Sequence, residues 1–300
     1  MSMLVDRTKG LLAPAVDAPR WSGTLTLATL RILAGLLWLY NVSWKRPPDF
    51  GQDDDSGLYR FTHDAVDHPV LAPYSWIVEQ LVLPNFEAFG WMVLLAETTL
   101  AVMLLTGTLV RVAALLGIAQ ATAIALSVAF TPGEWPWSYW MMIGIHVVLL
   151  GGAAGAVLAV DEVRAAPRTA RRLVTVWGAV VGVAAVVALL MSIGDSPTEA
   201  SGARLGGPDL SISLGSYNLV GALVLLTVAA LMLIAVSRRE RLPALIGAGL
   251  AVLAALSLYV QLGFSDPLLG GSNTSAAFFL CAAVVAAACS NHLSAPTEES

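Results

Sequence analysis

Three ionisable side chains stand inside long apolar runs of this sequence: Arg31, Glu97 and His146. A charge in hydrocarbon costs a few kcal/mol or more, so such residues persist where they pair or line a polar cavity. Facing each other, Arg31 and Glu97 have the chemistry to hold a substrate anion or a quinone head group, the guanidinium donating and the carboxylate exchanging protons. They serve equally well as a buried pair that only neutralises two charges and fixes helix register, or they never meet. The His146 imidazole suits a quinone carbonyl or a proton relay, although a lone helical histidine is often just hydrogen-bonded core. Asn41, Trp44 and Lys45 close the first apolar run ahead of Pro47-Pro48, where the chain must leave the helix. The Lys45 ammonium there either snorkels to water or attracts an anion.

The elements that must position these groups follow from hydropathy. Of 300 residues, 57% are hydrophobic and 12% charged, against roughly 25% charged in soluble domains, so lipid is the expected solvent. Apolar runs of the length needed to cross about 30 Å of hydrocarbon recur from end to end. They lie near Thr24 to Trp44, Phe86 to Thr106, Val110 to Phe130, Ser138 to Val160, Leu173 to Ile193, Gly215 to Val236, Pro243 to Phe264 and Thr274 to Ser290. The expected fold is an all-α polytopic membrane bundle of about eight transmembrane helices. The first run follows Arg7, Lys9 and Arg20 but shows no small-residue cleavage site, so it reads as a retained helix.

Basic residues cluster in alternate connections. Arg7, Lys9, Arg20, Arg111, Arg164, Arg168, Arg171, Arg172, Arg238, Arg239 and Arg241 fall on one side, and Lys45, Arg46, Arg60 and Arg204 on the other. By the positive-inside rule both termini are cytoplasmic, and the acidic loop between the first two helices, 46–85, is extracytoplasmic. Arginine, alanine, valine and glycine richness points to a bacterial plasma membrane. Within the loop, Tyr74 to Leu83 sets Trp76, Ile77, Leu81 and Val82 against Glu79 and Gln80, the pattern of a short interfacial helix that caps the bundle. Its acids and histidines match no compact metal-ligand spacing, and no metal site is expected. Glu134-Trp135-Pro136-Trp137-Ser138-Tyr139-Trp140 has the composition of an interfacial aromatic belt.

Helices one to four carry the intramembrane ionisable residues, whereas helices five to eight carry none in their cores and read as close packing through small residues. The expected organisation is a four-helix domain at 1–161, a basic linker at 162–172, an apolar four-helix domain at 173–292 and a disordered tail at 293–300. Cys281 and Cys289 lie about 12 Å apart on one helix, too far for a disulfide. No haem-attachment, dinucleotide or phosphate-loop motif occurs, and with a net charge of −5 and no basic stripe the chain is not expected to bind nucleic acid.

The first half contains the motifs Leu30-Arg31-Ile32-Leu33-Ala34-Gly35-Leu36-Leu37-Trp38, Trp44-Lys45, Ala96-Glu97, Leu104-Leu105-Thr106-Gly107-Thr108, Arg111-Val112-Ala113-Ala114, and the helix from Tyr139 ending in Asp161. In these it resembles the DoxX/DoxD family of four-helix membrane proteins. Some members of that family are described as the small subunit of thiosulfate:quinone oxidoreductase. The resemblance implies a polar pocket built around Arg31, Glu97 and Arg111, with Lys45, Trp44 and His146 toward the outer face. Helices five to eight and the long acidic loop depart from the family.

The leading expectation is a membrane redox protein that passes electrons from a thiosulfate-like compound to quinone with a partner subunit. Arg31 or Lys45 would hold the anion, and Glu97 and His146 would handle protons. No electron carrier is evident, so a bound cofactor or a partner must supply one unless donor and quinone meet directly. The alternative is a non-catalytic subunit that organises a larger membrane complex. A transporter, the third reading, lacks helices broken at matched depths.

Overall fold

The computed structural model describes residues 21–206 and 212–294. Arg7, Lys9 and Arg20, which contribute to the orientation above, lie outside them, as does the tail from 295 onward. Helix α1 spans Trp21–Ser43, and α2 spans Gly57–Asp67. Helix α3, Ala72–Ile77, runs through a π turn at Val78–Val82 and a 3-10 turn at Leu83–Asn85 into α4, Phe86–Thr106. There follow α5, Val110–Val128, α6, Pro136–Gly151, and the short α7, Val160–Ala165. The second half holds α8, Ala170–Met191, α9, Leu219–Arg238, α10, Arg241–Gln261, and α11, Asn273–Ser290. The α8–α9 connection contains a two-residue antiparallel pair, β1 at Ala203–Arg204 and β2 at Ser216–Tyr217.

Seven of the described helices are long and apolar enough to cross a membrane, with α3 and α4 counted as one, and α6 is a shorter apolar helix. In the second half, large side chains point outward and small ones inward. On α8, Val183 and Leu190 are exposed while Ala184, Ala185 and Ala188 are buried; on α10, Leu253 and Val260 are exposed while Ala251, Ala254 and Ala255 are buried. This inverted arrangement is what lipid permits, because hydrocarbon is as good a solvent for leucine as a protein core and small residues let backbones approach. The second half is no separate body, for Ala277 and Cys281 of α11 enter the core formed with Trp38, Leu100 and Leu104.

The expected fourth helix stops at Gly151 instead of continuing to Val160, and residues 152–159 form an irregular buried strap. Such backbone is tolerated at depth only if its polar groups find partners, and Arg31 supplies them. Its Nε donates to Ala154 O at 3.0 Å, Nη1 to Leu104 O and Leu105 O at 2.6 and 3.2 Å, and Nη2 to Val157 O and Leu158 O at 3.2 and 3.0 Å. All the N–H groups of a guanidinium are thereby used. Two of these acceptors are terminal α4 carbonyls that no helical N–H can reach.

The same corner requires glycine at 107. It caps α4 with φ of +67°, and the Thr108 and Gly107 amides return to Met103 O and Leu104 O at 2.8 and 3.3 Å, closing the helix as a left-handed residue does. A Cβ there would stand 2.3 Å from Ala159 Cβ and 2.7 Å from Arg31 Nη1. Asp161 caps the next helix by accepting from the Leu109 and Val110 amides at 3.1 and 2.9 Å, where the α5 dipole favours a carboxylate. The region expected to be a basic linker is thus an ordered corner, with Arg164 bonded to Asp161 at 3.0 Å and Arg172 to Glu162 at 2.8 Å.

Gly117 of α5 admits the His146 ring, since a Cβ would fall 2.0 Å from His146 Cδ2. Gly117→Ala is expected to overpack this contact and cost about 1–3 kcal/mol. Thermal unfolding in detergent measures the loss, and adding His146→Ala should recover part of it. Simple additivity of the two substitutions would show that the ring is not the obstacle.

Candidate functional site

At the opposite end of the first half from Asp161, helices α1, α4 and α5 surround a cavity of about 860 Å³. Phe89, Met92, Val93 and Ala96 line it from α4, and Ala123, Ile124, Ser127 and Val128 from α5, so it separates the halves of these helices remote from the Gly107 turn. Two elements of the 46–85 loop cover it. Helix α2 contributes Leu58, Phe61 and Thr62, and α3 with its π turn contributes Tyr74, Ile77, Val78 and Val82. The Tyr74 hydroxyl reaches α5, 2.9 Å from Ser127 Oγ and 3.2 Å from Ala123 O. From Tyr74 to Phe86 is roughly 18 Å of helix at 1.5 Å per residue, so this segment bridges the gap between α4 and α5. The segment does not sort its faces as the sequence suggests: Trp76, Ile77 and Leu81 are exposed together with Glu79 and Gln80, while Val78 is buried.

The polar groups lie deep in this apolar-walled space. Lys45 Nζ is 2.6 Å from Glu97 Oε2, and both side chains are 1% exposed. The contact is a close, fully buried ion pair. Gln120 lies within reach of the same carboxylate, and the ammonium sits 3.6 Å from the ring centroid of Trp44, a cation–π contact that strengthens away from water. Trp44 is held in turn by an edge-to-face contact with Phe61 of α2. Nearer the far rim, Tyr139 donates to Glu134, both lining the cavity.

The expected partnership of Arg31 with Glu97 is therefore corrected. Arg31 serves the carbonyls at the Asp161 end, because the irregular strap and the α4 terminus need donors there, and Glu97 sits about 10 Å up α4 from those carbonyls. Its counter-charge is Lys45, which turns inward instead of snorkelling.

His146 does not line the cavity. Its Nε2 accepts from the Trp38 indole of α1 at 2.9 Å and its Nδ1 donates to Met142 O of its own helix at 2.7 Å, so both ring nitrogens are engaged. Arg111, in the first turn of α5, lies at the Asp161 end, and Gln120 of the cavity is about 13 Å further along that helix. Of the residues singled out by sequence, the structure brings together Lys45, Trp44 and Glu97, and leaves Arg31, Arg111 and His146 elsewhere.

Sequence reasoning passed over Gln120, Tyr74, Ser127 and Tyr139 as site residues. Gln120 was the readable signal, an amide in the middle of an apolar span, which hydrocarbon makes nearly as conspicuous as a charge. Among the described residues no group of three histidines, cysteines or carboxylates is placed to hold a metal.

The chain matches no family model, no curated protein and no solved structure. The likeness of its first half to DoxX/DoxD proteins accordingly rests on short motifs alone.

Proposed function

We propose that this chain is a quinone-linked membrane redox protein whose cavity takes the head group of a lipid-soluble quinone. The observation that carries the reading is the buried Lys45–Glu97 pair, set among apolar and aromatic walls. A quinone carbonyl would accept from the Lys45 ammonium, and a quinol hydroxyl would donate to Glu97 Oε2. Reduction of quinone to quinol takes up two electrons and two protons; Glu97 is suited to pass protons and the apolar walls to exclude bulk water. Of the two cations expected to hold a sulfur anion, Arg31 has every N–H engaged and Lys45 has its charge neutralised by Glu97. Oxidation of a thiosulfate-like donor is therefore assigned to a partner subunit. In this reading α6 is the eighth span, both termini are cytoplasmic and the covered end of the cavity faces outward, with the chain in a bacterial plasma membrane.

Lipid extraction and mass spectrometry of protein purified in mild detergent tests the proposal. Wild-type protein should carry near-stoichiometric quinone. Glu97→Gln and Ala96→Phe, which narrows the cavity beside Glu97, should each lower it about tenfold or more, the loss of roughly 1.4 kcal/mol of binding. Equal quinone in wild type and both variants sinks the assignment. No quinone at all, with a stably co-purifying protein, favours the subunit reading.

A further inference from the structure

We infer that the second half of the chain assembles the site, with Asn273 of α11 and Tyr259 of α10 acting as positioning residues that hold the Lys45 ammonium inward against Glu97. Lys45 lies just beyond the end of α1, where the last carbonyls have no helical donors. A lysine at such a place has an easy alternative, which is to straighten and put its charge in water. Asn273 removes that alternative. Its Nδ2 lies 2.6 Å from Lys45 O and 3.5 Å from Val42 O, tying the turn from a different part of the bundle.

Asn273 is itself firmly placed. It is 5% exposed and opens α11 directly after the reciprocal Ser272–Ser275 cap, an arrangement that fixes the first turn of a helix. The neighbouring end of α10 lies flush with the same turn, since a Cβ on Gly263 would meet Pro47 O at 2.1 Å. The other member of the pair is held from the same side. Tyr259 Oη is 2.9 Å from Thr98 Oγ1, and Thr98 follows Glu97, so this bond fixes the rotation of α4 at the carboxylate. The segment carrying each charge of the pair is thus tied by hydrogen bonds from the second half, whether or not quinone is the ligand.

The chain contains only two lysines, Lys9 and Lys45, so acylation of Lys45 is readable at a single peptide. The full-length protein in detergent is treated with an acetylating N-hydroxysuccinimide ester, and the initial rate at Lys45 is followed by mass spectrometry below the thermal midpoint of each variant. Wild-type Lys45 should react slowly. Asn273→Ala should raise the rate about tenfold as the side chain turns outward, and Tyr259→Phe about two- to threefold. A purely structural role would lower the thermal midpoint and leave Lys45 reactivity below it unchanged; that result in folded Asn273→Ala overturns the inference. Should Asn273→Ala not fold, Tyr259→Phe, which deletes one hydroxyl, decides in the same way. Since the readout is the lysine and not a bound ligand, absence of quinone in the purified protein leaves the test intact.

Discussion

Arg31→Ala is expected to abolish the folded state, or to lower its stability by at least about 4 kcal/mol, because it strands buried carbonyls of which only Leu104 O has a second donor, the Gly107 amide. The acceptors are main-chain oxygens of Leu104, Leu105, Ala154, Val157 and Leu158, and no second substitution can delete them. Arg31→Met, which retains much of the volume, should therefore fare little better than alanine. Arg31→Lys should fall in between, since an ammonium offers three donors from one point where the guanidinium offers five in a fixed plane. Thermal unfolding in detergent, followed by the fraction that remains monodisperse, gives the ranking. Wild-type stability in Arg31→Met would mean that water or a backbone shift satisfies the strap, and would remove the reason for an arginine at this depth.

Lys45→Met is expected to cost about 3–5 kcal/mol, whereas Lys45→Met with Glu97→Leu should return to within about 1 kcal/mol of wild type. Removing the lysine leaves a buried carboxylate in mid-span without its counter-charge; removing both charges leaves an apolar contact that lipid and protein accept equally. The two single changes should also differ. Glu97→Leu is the milder, because Lys45 at a helix end can still carry its charge outward. A double-mutant cycle on purified protein measures the coupling, and strict additivity would show that the two groups do not stabilise each other. The double variant has a further use as a folded protein that should bind no quinone.

The apolar helices were legible because lipid leaves a long and simple mark on sequence. Both bounds of α4 at Phe86 and Thr106 coincide with the apolar run, and the small-residue faces of α8 and α10 follow from composition. Hydropathy gives depth along a helix, however, and not direction around it. Arg31 and Glu97 sit at depths that long side chains can bridge, yet the α1–α4 contact turns them to different neighbours. Lys45 was legible as a helix-end residue, but its inward course depends on Asn273, which is 228 residues away. The early end of α6 was hidden for a related reason: residues 152–159 are apolar enough to read as helix, and only the donors of Arg31 make their irregular path tolerable.

The corner built on Arg31 also decides the topology of traffic. Between Glu97 and the strap stand Trp38, Leu100, Leu104 and Leu149, all fully buried, and below them the guanidinium is saturated. The cavity is thus a cul-de-sac, and opening it through would mean breaking the joint that holds α1, α4 and the strap together. Any molecule or proton admitted must leave by the compartment or leaflet that delivered it. Turnover at such a site would move no charge across the full thickness of the bilayer, so its rate should depend on membrane potential less steeply than that of a site open to both faces.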